Sequence, residues 1–295
     1  MPELPEVETI VKDLRKKIIG RKIISVWFDA PKLIKKPKPA DFEKEIKGLK
    51  IEGVRRRAKN ILIFLSQNKI LLVHQKMTGH LLYGKWAIKK IRNQKSETRS
   101  LIAGAMREKV NDYIHIVFYL DNGWQLALSD LRKFAKVVLG SKEEIENLKE
   151  LKSLGPEPLE ENFDFKKFQE AMQKKNGKIK QVLMDQNVIS GIGNIYSDEI
   201  LWTARVHPFK PTSRLSEREL KKIFQATKKI LKEALNLRGI SISDFRDPEG
   251  KKGHYAEHRR VYQREGEKCP RCGGIIKRVK IGGRSAHFCP KCQKL

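Results

Sequence analysis

Four cysteines near the end of the chain constrain its fold more than any other feature of the sequence. They are Cys269, Cys272, Cys289 and Cys292, with two residues inside each pair and sixteen between the pairs. This spacing is typical of a four-thiolate zinc site, in which each pair forms a knuckle and the metal closes a tetrahedron. The sequence between the pairs turns at Gly282-Gly283, which predicts a β-hairpin. A ribbon this small needs its metal to fold, so we predict one structural Zn²⁺ in residues 263–295.

The charge of the chain indicates the class of its partner. Lysine and arginine number 63 against 35 acidic residues, a formal charge of +28, and 39% of the residues are hydrophobic. The excess favours a polyanion, and no apolar run approaches the roughly 20 residues that span a bilayer, so nucleic acid is favoured over a membrane. A generically basic protein, such as a ribosomal one, remains an alternative on charge alone. The first twenty residues lack the apolar centre of a secretory signal, and we expect a cytoplasmic protein with no membrane partner.

The N-terminal residues "MPELPEVETI" lead into an amphipathic pattern that begins at Val7. Apolar residues recur with helical spacing from Val7 to Ile18, and Gly20 follows where a helix would end. Pro5 suits a first helical turn because it has no N–H to leave unpaired, and Glu6 favours the positive end of the helix dipole. The sequence therefore predicts that the N-terminus is held against a folded body.

Short β-branched or aromatic runs dominate the next part of the chain. They lie at residues 23–28, 61–65, 70–74, 114–120, 124–128 and 134–139. The segment "DNG", residues 121–123, predicts a hairpin turn. Six such runs with no regular helix between them indicate an antiparallel sandwich or barrel. The basic segment 84–110 lacks a clear period, and we predict a long loop there with room for one helix.

The second half of the chain has a different pattern. An acidic stretch ending in a Gly-Pro-Glu-Pro breaker predicts a linker at residues 141–163 between an N-terminal domain, 1–140, and a helical domain, 164–262. Helical periodicity follows at residues 164–175, 178–186, 195–204 and 216–237. The fold class is thus α+β: an antiparallel β-sandwich with flanking helices, then a helical domain that ends in the zinc hairpin.

Two polar features of the second half can contact phosphate. The glycine-rich turn "SGIGNIY" leads into a helix with Asn194 as its expected N-cap, and backbone N–H groups at a helix start bind anions. Simple capping is the alternative for this turn. Arg284 follows the Gly-Gly turn of the zinc hairpin, where its side chain can reach a DNA backbone phosphate or remain in solvent.

Five segments together resemble the formamidopyrimidine-DNA glycosylase family. They are "MPELPEVET", "RRRAKN", "LGPEPL", "GIGNIY" and the four-cysteine finger, in this order from Met1 to Cys292. The resemblance implies a β-sandwich followed by a helix-two-turn-helix domain and a zinc finger. It also implies a base-excision-repair enzyme that removes oxidised purines, 8-oxoguanine and formamidopyrimidines, from double-stranded DNA and then cleaves the abasic strand. The family's lesion-covering loop falls at about residues 239–257, and we expect a monomer.

The resemblance assigns roles to residues of the reaction. Pro2 is the Schiff-base nucleophile once Met1 is removed, because a free secondary amine with a pKa near ~8 is partly neutral at physiological pH. Glu3 is the adjacent proton donor, and Glu6 supports this end of the chain. Lys59 contacts the lesion and donates a proton, and Arg284 donates one in δ-elimination.

Further residues match the family's DNA contacts. Met77, Arg132 and Phe134 correspond to the side chains that fill the void left by the extruded nucleotide. Lys180 and Asn194 correspond to phosphate contacts. The chain reads "DLRKFA" where the family commonly reads "DPRRFG", so its preference for the opposite base does not follow from the resemblance.

Two other functions fit the same segments. An endonuclease VIII-like glycosylase uses the same N-terminal proline on oxidised pyrimidines, and a noncatalytic DNA-binding zinc protein could keep the fold without the reaction. The motif "ELPEVET" and the full-length segment 239–257 favour the purine enzyme. Intact Pro2, Glu3 and Lys59 favour an enzyme over a binding protein.

Overall fold

The computed structural model of the chain describes residues 1–90, 97–242 and 245–295. The chain divides into two compact units. The first contains Met1–Pro2, Glu6–Lys152 and Arg238–His254, and the second contains Glu3–Pro5, Ser153–Leu237 and Tyr255–Leu295. Among the described residues, no helix has both the length and the apolar character needed to span a bilayer.

The first unit is a β-sandwich of two five-stranded sheets with flanking helices. Its elements are helix α1 (Leu4–Ile18), β1 (Ile23–Phe28), β2 (Ile34–Lys36), α2 (Pro39–Ile46), β3 (Ile51–Arg57), β4 (Asn60–Leu65), β5 (Lys69–His74), β6 (Gly79–Lys90), β7 (Glu97–Ala103), β8 (Ile114–Leu120), β9 (Gln125–Asp130), β10 (Lys136–Ser141), α3 (Lys142–Glu146) and α4 (Lys149–Lys152). One sheet has the order β1-β8-β9-β6-β7 and the other β2-β10-β5-β4-β3. The β2–β10 pairing is parallel and the other pairings are antiparallel.

A continuous apolar core explains why these elements pack together. The apolar face of α1, from Val7 to Ile18, belongs to the same buried cluster as residues of both sheets, such as Ile63 and Phe118. Both faces of the central strands β5 and β9 are largely buried, so these strands lack a strict alternation of polar and apolar residues. The predicted N-terminal helix, the sandwich and the turn at residues 121–123 are confirmed.

The predicted loop at residues 84–110 is wrong in most of its length. Strands β6 and β7 pair antiparallel from Lys85↔Ala103 to Lys90↔Glu97, and a short 3-10 helix follows at Lys109–Tyr113. The part of the predicted loop at residues 91–96 lies outside the described residues. The strands escaped prediction because β7 is at the edge of its sheet, where charged residues replace the alternating apolar pattern.

The second unit is mainly helical before the cysteines. Its helices are α5 (Phe165–Gln173), α6 (Ile179–Met184), α7 (Asn194–Ala204) and α8 (Glu217–Asn236). Helix α5 begins after Asp164, whose side chain accepts the Lys167 N–H, and α8 begins with a capping box between Ser216 and Glu219. These caps explain why the predicted helices begin where they do.

The zinc hairpin consists of β11 (Lys277–Ile281) and β12 (Arg284–Phe288). Gly282 and Gly283, which connect the strands, both have positive φ, the conformation of the tight hairpin turn that glycine adopts without strain. Within the second unit the hairpin's knuckles pack on α7, where Trp202 clusters with Cys269 and Cys289. The α+β fold class predicted from the sequence is confirmed.

Candidate active site

Glu3 caps the helix that follows the glycine-rich turn. Its carboxylate accepts hydrogen bonds from the backbone N–H groups of Gly193 (2.7 Å), Ile195 (2.9 Å) and Tyr196 (3.4 Å), and Glu3 is 2% exposed. The space beside Gly193 is filled by Glu3, so a Cβ at position 193 would collide with the carboxylate. The start of α7, with its unpaired N–H groups and positive dipole end, therefore holds the carboxylate in one orientation.

The predicted N-cap at Asn194 is wrong by one residue. Gly193 occupies the N-cap position with no side-chain cap of its own, and Asn194 is the first helical residue. The helix needs no capping side chain at its N-cap residue, because Glu3 supplies the acceptor that such a side chain normally provides. Asn194 is half-buried.

Pro2 is buried, whereas Met1 is half exposed. The backbone nitrogen of Pro2 is an amide while Met1 is attached, and it becomes a secondary amine when Met1 is removed. The nucleophile and the proton donor that the resemblance implies are thus consecutive residues at a buried point of the chain.

Lys59 lies in the two-residue turn between β3 and β4. The turn is closed by the pairing of Arg57 with Asn60, and Ala58 has a positive φ of 52°. Lys59 is 7% exposed, so the turn holds this lysine largely out of solvent. The charge of Lys59 also helps to lower the pKa of His74, which falls to about 3. Burial of the His74 ring is the largest cause of this shift.

Met77, Arg132 and Phe134 are brought together, although they come from two different loops. The Arg132 guanidinium donates to the Met77 Sδ at 3.2 Å and lies 4.6 Å from the centre of the Phe134 ring. Met77 is 42% and Phe134 is 52% exposed. Large apolar side chains at this exposure form a surface that can insert between bases.

Lys180 is fully buried and paired. Its Nζ donates to Asp198 Oδ1 at 2.5 Å, and the second Asp198 oxygen accepts from the backbone N–H and the ring Nδ1 of His287. Burial lowers the pKa of Lys180, while the Asp198 carboxylate acts in the opposite direction. The network joins α6, α7 and β12, and the phosphate contact expected of Lys180 stays a prediction.

Glu6 anchors the segment that the resemblance assigns to lesion covering. Its Oε1 accepts the backbone N–H of Ile240 at 2.8 Å, and its side chain fills the space where a Cβ at Gly239 would stand. The far end of the segment returns through an antiparallel bridge between Ile240 and His254. Residues 243 and 244 of this predicted loop lie outside the described residues.

The four cysteines form a metal site. Their sulfur atoms lie within 4.8 Å of one another, as for Cys269 and Cys292 at 3.9 Å and Cys272 and Cys289 at 3.5 Å. A tetrahedron with Zn–S bonds of about 2.3 Å requires sulfur atoms roughly 3.8 Å apart, so the four thiolates fit one zinc ion. The zinc is structural because all four positions of the tetrahedron are taken by cysteines, and the Trp202 Nε1–H donates to the Cys269 sulfur at 3.3 Å.

Arg284 is exposed at the start of β12, directly after the Gly-Gly turn. It lines a shallow depression of about 440 Å³ with Lys175 and Gln181. Asp185 also lines the depression and forms an ion pair with Lys175, so Arg284 is the side chain there that is placed to contact an anionic group.

Sequence reasoning missed the buried polar residues that support these loops. Asp130 is fully buried and accepts hydrogen bonds from the backbone of the turn that contains Arg132 and Phe134. It also accepts one from Thr78, which lies in the loop between β5 and β6 that carries Met77, called here the Met77 loop. An aspartate just before a non-periodic loop is a known turn signal that could have indicated Asp130. Thr78 carries no such signal, because its partner is 52 residues away.

Comparison with known proteins gives a consistent result along the chain. Residues 1–137 match the formamidopyrimidine-DNA glycosylase N-terminal domain, residues 154–246 match its H2TH domain, and residues 266–295 match the zinc finger found in FPG and IleRS. The formamidopyrimidine-DNA glycosylase of Pelotomaculum thermopropionicum is 39% identical over the full length of both chains. That of Streptococcus pneumoniae is 36% identical over 100% of this chain and 99% of its own.

Solved structures agree with the sequence comparison. A Lactococcus lactis Fpg, in a complex with DNA that contains an abasic site, is 35% identical and superimposes with a TM-score of 0.84 over 99% of this chain and 100% of its own. Other complexes of that enzyme contain Fapy-dG or an oxidised pyrimidine. From the matched domains, the full-length relatives and the shared fold, this chain belongs to the formamidopyrimidine-DNA glycosylase family.

Proposed function

We propose that this DNA glycosylase removes oxidised purines through a Schiff base on Pro2 and then cleaves the abasic strand by β,δ-elimination. One observation carries the proposal: the Glu3 carboxylate, in the residue next to Pro2, is fixed by three N–H groups at the start of α7, those of Gly193, Ile195 and Tyr196. A proton donor is useful to a neighbouring nucleophile when its position is fixed.

The chemistry of Pro2 suits both steps. After removal of Met1, the neutral amine attacks C1′ of the damaged nucleotide and the bond from C1′ to the base breaks. The base leaves with the bonding electrons and takes up a proton, while the amine nitrogen loses its own proton. Opening of the sugar ring gives an iminium ion, which has no N–H to lose and keeps its positive charge. This cation accepts the electron pair released when a proton leaves C2′, which gives an enamine. The enamine then expels the 3′-phosphate, which leaves with its bonding electrons, and a second elimination releases the 5′-phosphate in the same way.

The other residues have complementary roles in this proposal. Glu3 protonates the sugar oxygen as the ring opens and moves protons during elimination. Lys59 contributes a positive charge at the lesion, and its low exposure strengthens that charge's interaction with a phosphate. Arg284 donates a proton to the departing phosphate in the second elimination.

The partner in this proposal is double-stranded DNA that contains an oxidised base. The net charge of +28 supports a polyanionic partner, and the complexes of the Lactococcus lactis relative with damaged DNA support this class of substrate. Met77, Arg132 and Phe134 would occupy the space of the extruded nucleotide, with Lys180 and Asn194 at flanking phosphates. We propose that a single chain performs the reaction.

Borohydride trapping on a duplex with 8-oxoguanine opposite cytosine tests the proposal. Reduction of the iminium joins protein and DNA covalently, so the wild type should give an adduct of increased mass that maps to Pro2. A Pro2→Gly variant, which offers a primary amine in place of the secondary amine, should give less adduct and slower excision. Absence of an adduct with the wild type would contradict the Schiff base and favour a noncatalytic DNA-binding protein.

Oxidised pyrimidines are a second candidate substrate class, because a complex of the Lactococcus lactis relative contains an oxidised pyrimidine. Excision from duplexes with thymine glycol and with 8-oxoguanine opposite cytosine, compared under single-turnover conditions, separates the two. Faster release of thymine glycol would favour the pyrimidine enzyme.

A further inference from the structure

A buried carboxylate organises the turn that carries Arg132 and Phe134. Asp130, at the end of β9, is 0% exposed. Its Oδ2 accepts the backbone N–H groups of Phe134 (2.6 Å) and Ala135 (2.7 Å), and its Oδ1 accepts the Arg132 N–H at 3.3 Å. Hydrogen bonds to an ionised acceptor are stronger than those between neutral groups, so Asp130 fixes the backbone of the turn.

The conformation of the turn directs its side chains. Lys133, at the centre, has a positive φ of 55° and donates its N–H to the Asp130 carbonyl. Ala135 points into the core, whereas Arg132 and Phe134 are exposed. The same carboxylate therefore determines which side chains of the turn face solvent.

The Met77 loop has its own backbone constraints. The Lys76 N–H donates to the His74 Nδ1 at 2.9 Å, and Lys76 has a φ of 55°. The Gly79 N–H donates to the Gln75 carbonyl at 3.0 Å, and a Cβ at position 79 would collide with that backbone. The loop is thus a tight turn that presents Met77 outward.

Thr78 joins the two loops. Its hydroxyl donates to Asp130 Oδ1 at 2.5 Å and accepts the Arg132 N–H at 3.1 Å. One hydroxyl group can make both bonds because it has one donor and two acceptor sites. Thr78 is 9% exposed, so neither bond is easily replaced by water. Beyond this link, the Arg132 guanidinium contacts both Met77 and Phe134.

We propose that Thr78 and Asp130 form a latch that locks the two loops together, so that Met77, Arg132 and Phe134 enter the duplex as one preassembled wedge. Both latch residues are positioning residues, since they act through the three side chains they hold. The inference rests on the proposed function, because the wedge matters only if a nucleotide is extruded. Its benefit is that side chains already ordered in the protein lose little conformational freedom on binding DNA.

The test separates base extrusion from the chemistry at Pro2. Thr78→Val keeps the shape of the side chain but removes the hydroxyl, and Thr78→Ser restores the hydroxyl. A duplex with 8-oxoguanine opposite cytosine requires extrusion of a paired base, whereas a duplex with a preformed abasic site has no base to extrude. A 2-aminopurine next to the lesion reports unstacking by its fluorescence. Thr227→Val is the matched control, because Thr227 is a buried threonine in α8 whose hydroxyl bonds only within its helix among the contacts the structure describes.

We expect Thr78→Val to slow single-turnover excision of 8-oxoguanine by roughly tenfold, the size expected for one lost hydrogen bond to a charged group. The change in 2-aminopurine fluorescence should become slower by a similar factor, whereas the rate of cleavage at the abasic site should stay within about twofold of the wild type. Thr78→Ser should recover most of the lost excision rate. Thr227→Val should match the wild type on both substrates.

Three outcomes would overturn the latch. These are a Thr78→Val variant equal to the wild type, one that loses the same factor on both substrates, and failure of Thr78→Ser to restore excision. A wild-type protein that neither excises 8-oxoguanine nor unstacks the 2-aminopurine would overturn the proposed function as well. Failure of the latch alone is therefore distinguishable from failure of the glycosylase reaction.

Discussion

At the residue scale, Glu3 has a structural role and a proposed catalytic role, and one substitution can separate them. It completes the start of α7 as a cap, and in the proposed reaction it moves protons beside Pro2. The cap needs only an oxygen acceptor, whereas the proton transfer needs a carboxyl group. An amide of the same shape keeps part of the first function and none of the second.

We predict that Glu3→Gln lowers 8-oxoguanine excision at least about 100-fold, the usual contribution of a positioned acid or base. Stability should fall by only about 1 kcal/mol, the usual cost of a weakened helix cap. Single-turnover kinetics and urea denaturation measure the two effects. Glu43→Gln, at an exposed position of α2, is the control. Excision by Glu3→Gln at the wild-type rate would contradict the assigned role.

His74 should make stability depend on pH. Burial, assisted by the charges of Lys76, Lys59 and Lys136, lowers the pKa of His74 to about 3 from its ordinary 6.5. Below pH 6.5 the unfolded chain binds a proton that the folded chain does not, so the free energy of unfolding falls as the pH falls from 6.5 towards 3. Between pH 7 and pH 5 this contribution amounts to about 2 kcal/mol.

His74→Asn should remove that part of the pH dependence, because asparagine can still accept the Lys76 N–H but does not titrate. Urea denaturation of both proteins at pH 7 and pH 5 provides the measurement. We expect the wild type to lose about 2 kcal/mol more than the variant between the two pH values. Equal losses would show that His74 is protonated in the folded protein.

How much of the site followed from sequence depended on how its residues are connected. The cysteines, Pro2 and Glu3 stand in continuous motifs, so the sequence alone singles them out as candidates. The capping of α7 by Glu3 could not, because the two lie 190 residues apart and the intervening sequence contains no trace of the contact. The assignment of the cap to Asn194 failed for that reason.

At the element scale, the prediction of a strand depended on whether its apolar residues form a continuous run. Strand β8 has a continuous apolar run and was predicted within its observed bounds, Ile114–Leu120. Strand β3, Ile51–Arg57, is rich in arginine and was missed, because it is an edge strand with one face in solvent. A strand is thus visible in sequence where its burial produces a continuous apolar run, as in β8, and is missed where charged residues interrupt that run, as in β3.

The stem of the segment 238–254 is held by a charged cluster in the first unit. Arg238 forms ion pairs with Asp13 and with Asp247, and the Asp247 carboxylate also accepts the N–H groups of Glu249 and Lys251 at 2.9 Å. Two further backbone bonds, from Tyr83 to Pro248 and from Met106 to Glu249, attach the tip of this turn to the sandwich.

We predict that Asp247→Ala destabilises the protein by about 2 kcal/mol, because it removes the acceptor of two partly buried N–H groups and one of the two carboxylates that pair with Arg238. Amide hydrogen exchange should accelerate first in residues 247–251. Asp121→Ala, at an exposed turn, is the control and should leave exchange in this segment unchanged. Unaltered protection of residues 247–251 in the Asp247 variant would contradict the stem's dependence on this carboxylate.

At the scale of the whole molecule, the net charge governs binding to DNA. Each phosphate neutralised by lysine or arginine releases condensed cations, so affinity falls as salt rises. With a charge of +28, we predict that affinity for duplex DNA falls at least about 100-fold between 50 and 200 mM salt. Fluorescence anisotropy measures it, with undamaged and abasic duplexes compared. A response that hardly changes with salt would contradict binding dominated by phosphate contacts.

The contact between Glu3 and α7 has a consequence for synthesis on the ribosome. The acceptor is made first, and the N–H groups it binds follow 190 to 193 residues later. At elongation rates of ~5–20 residues per second, the nascent N-terminus waits roughly 10–40 s before α7 exists to hold it. An aminopeptidase that trims nascent chains can reach Met1 throughout that interval, so exposure of the Pro2 amine, the proposed nucleophile, can precede the folding step that holds Glu3.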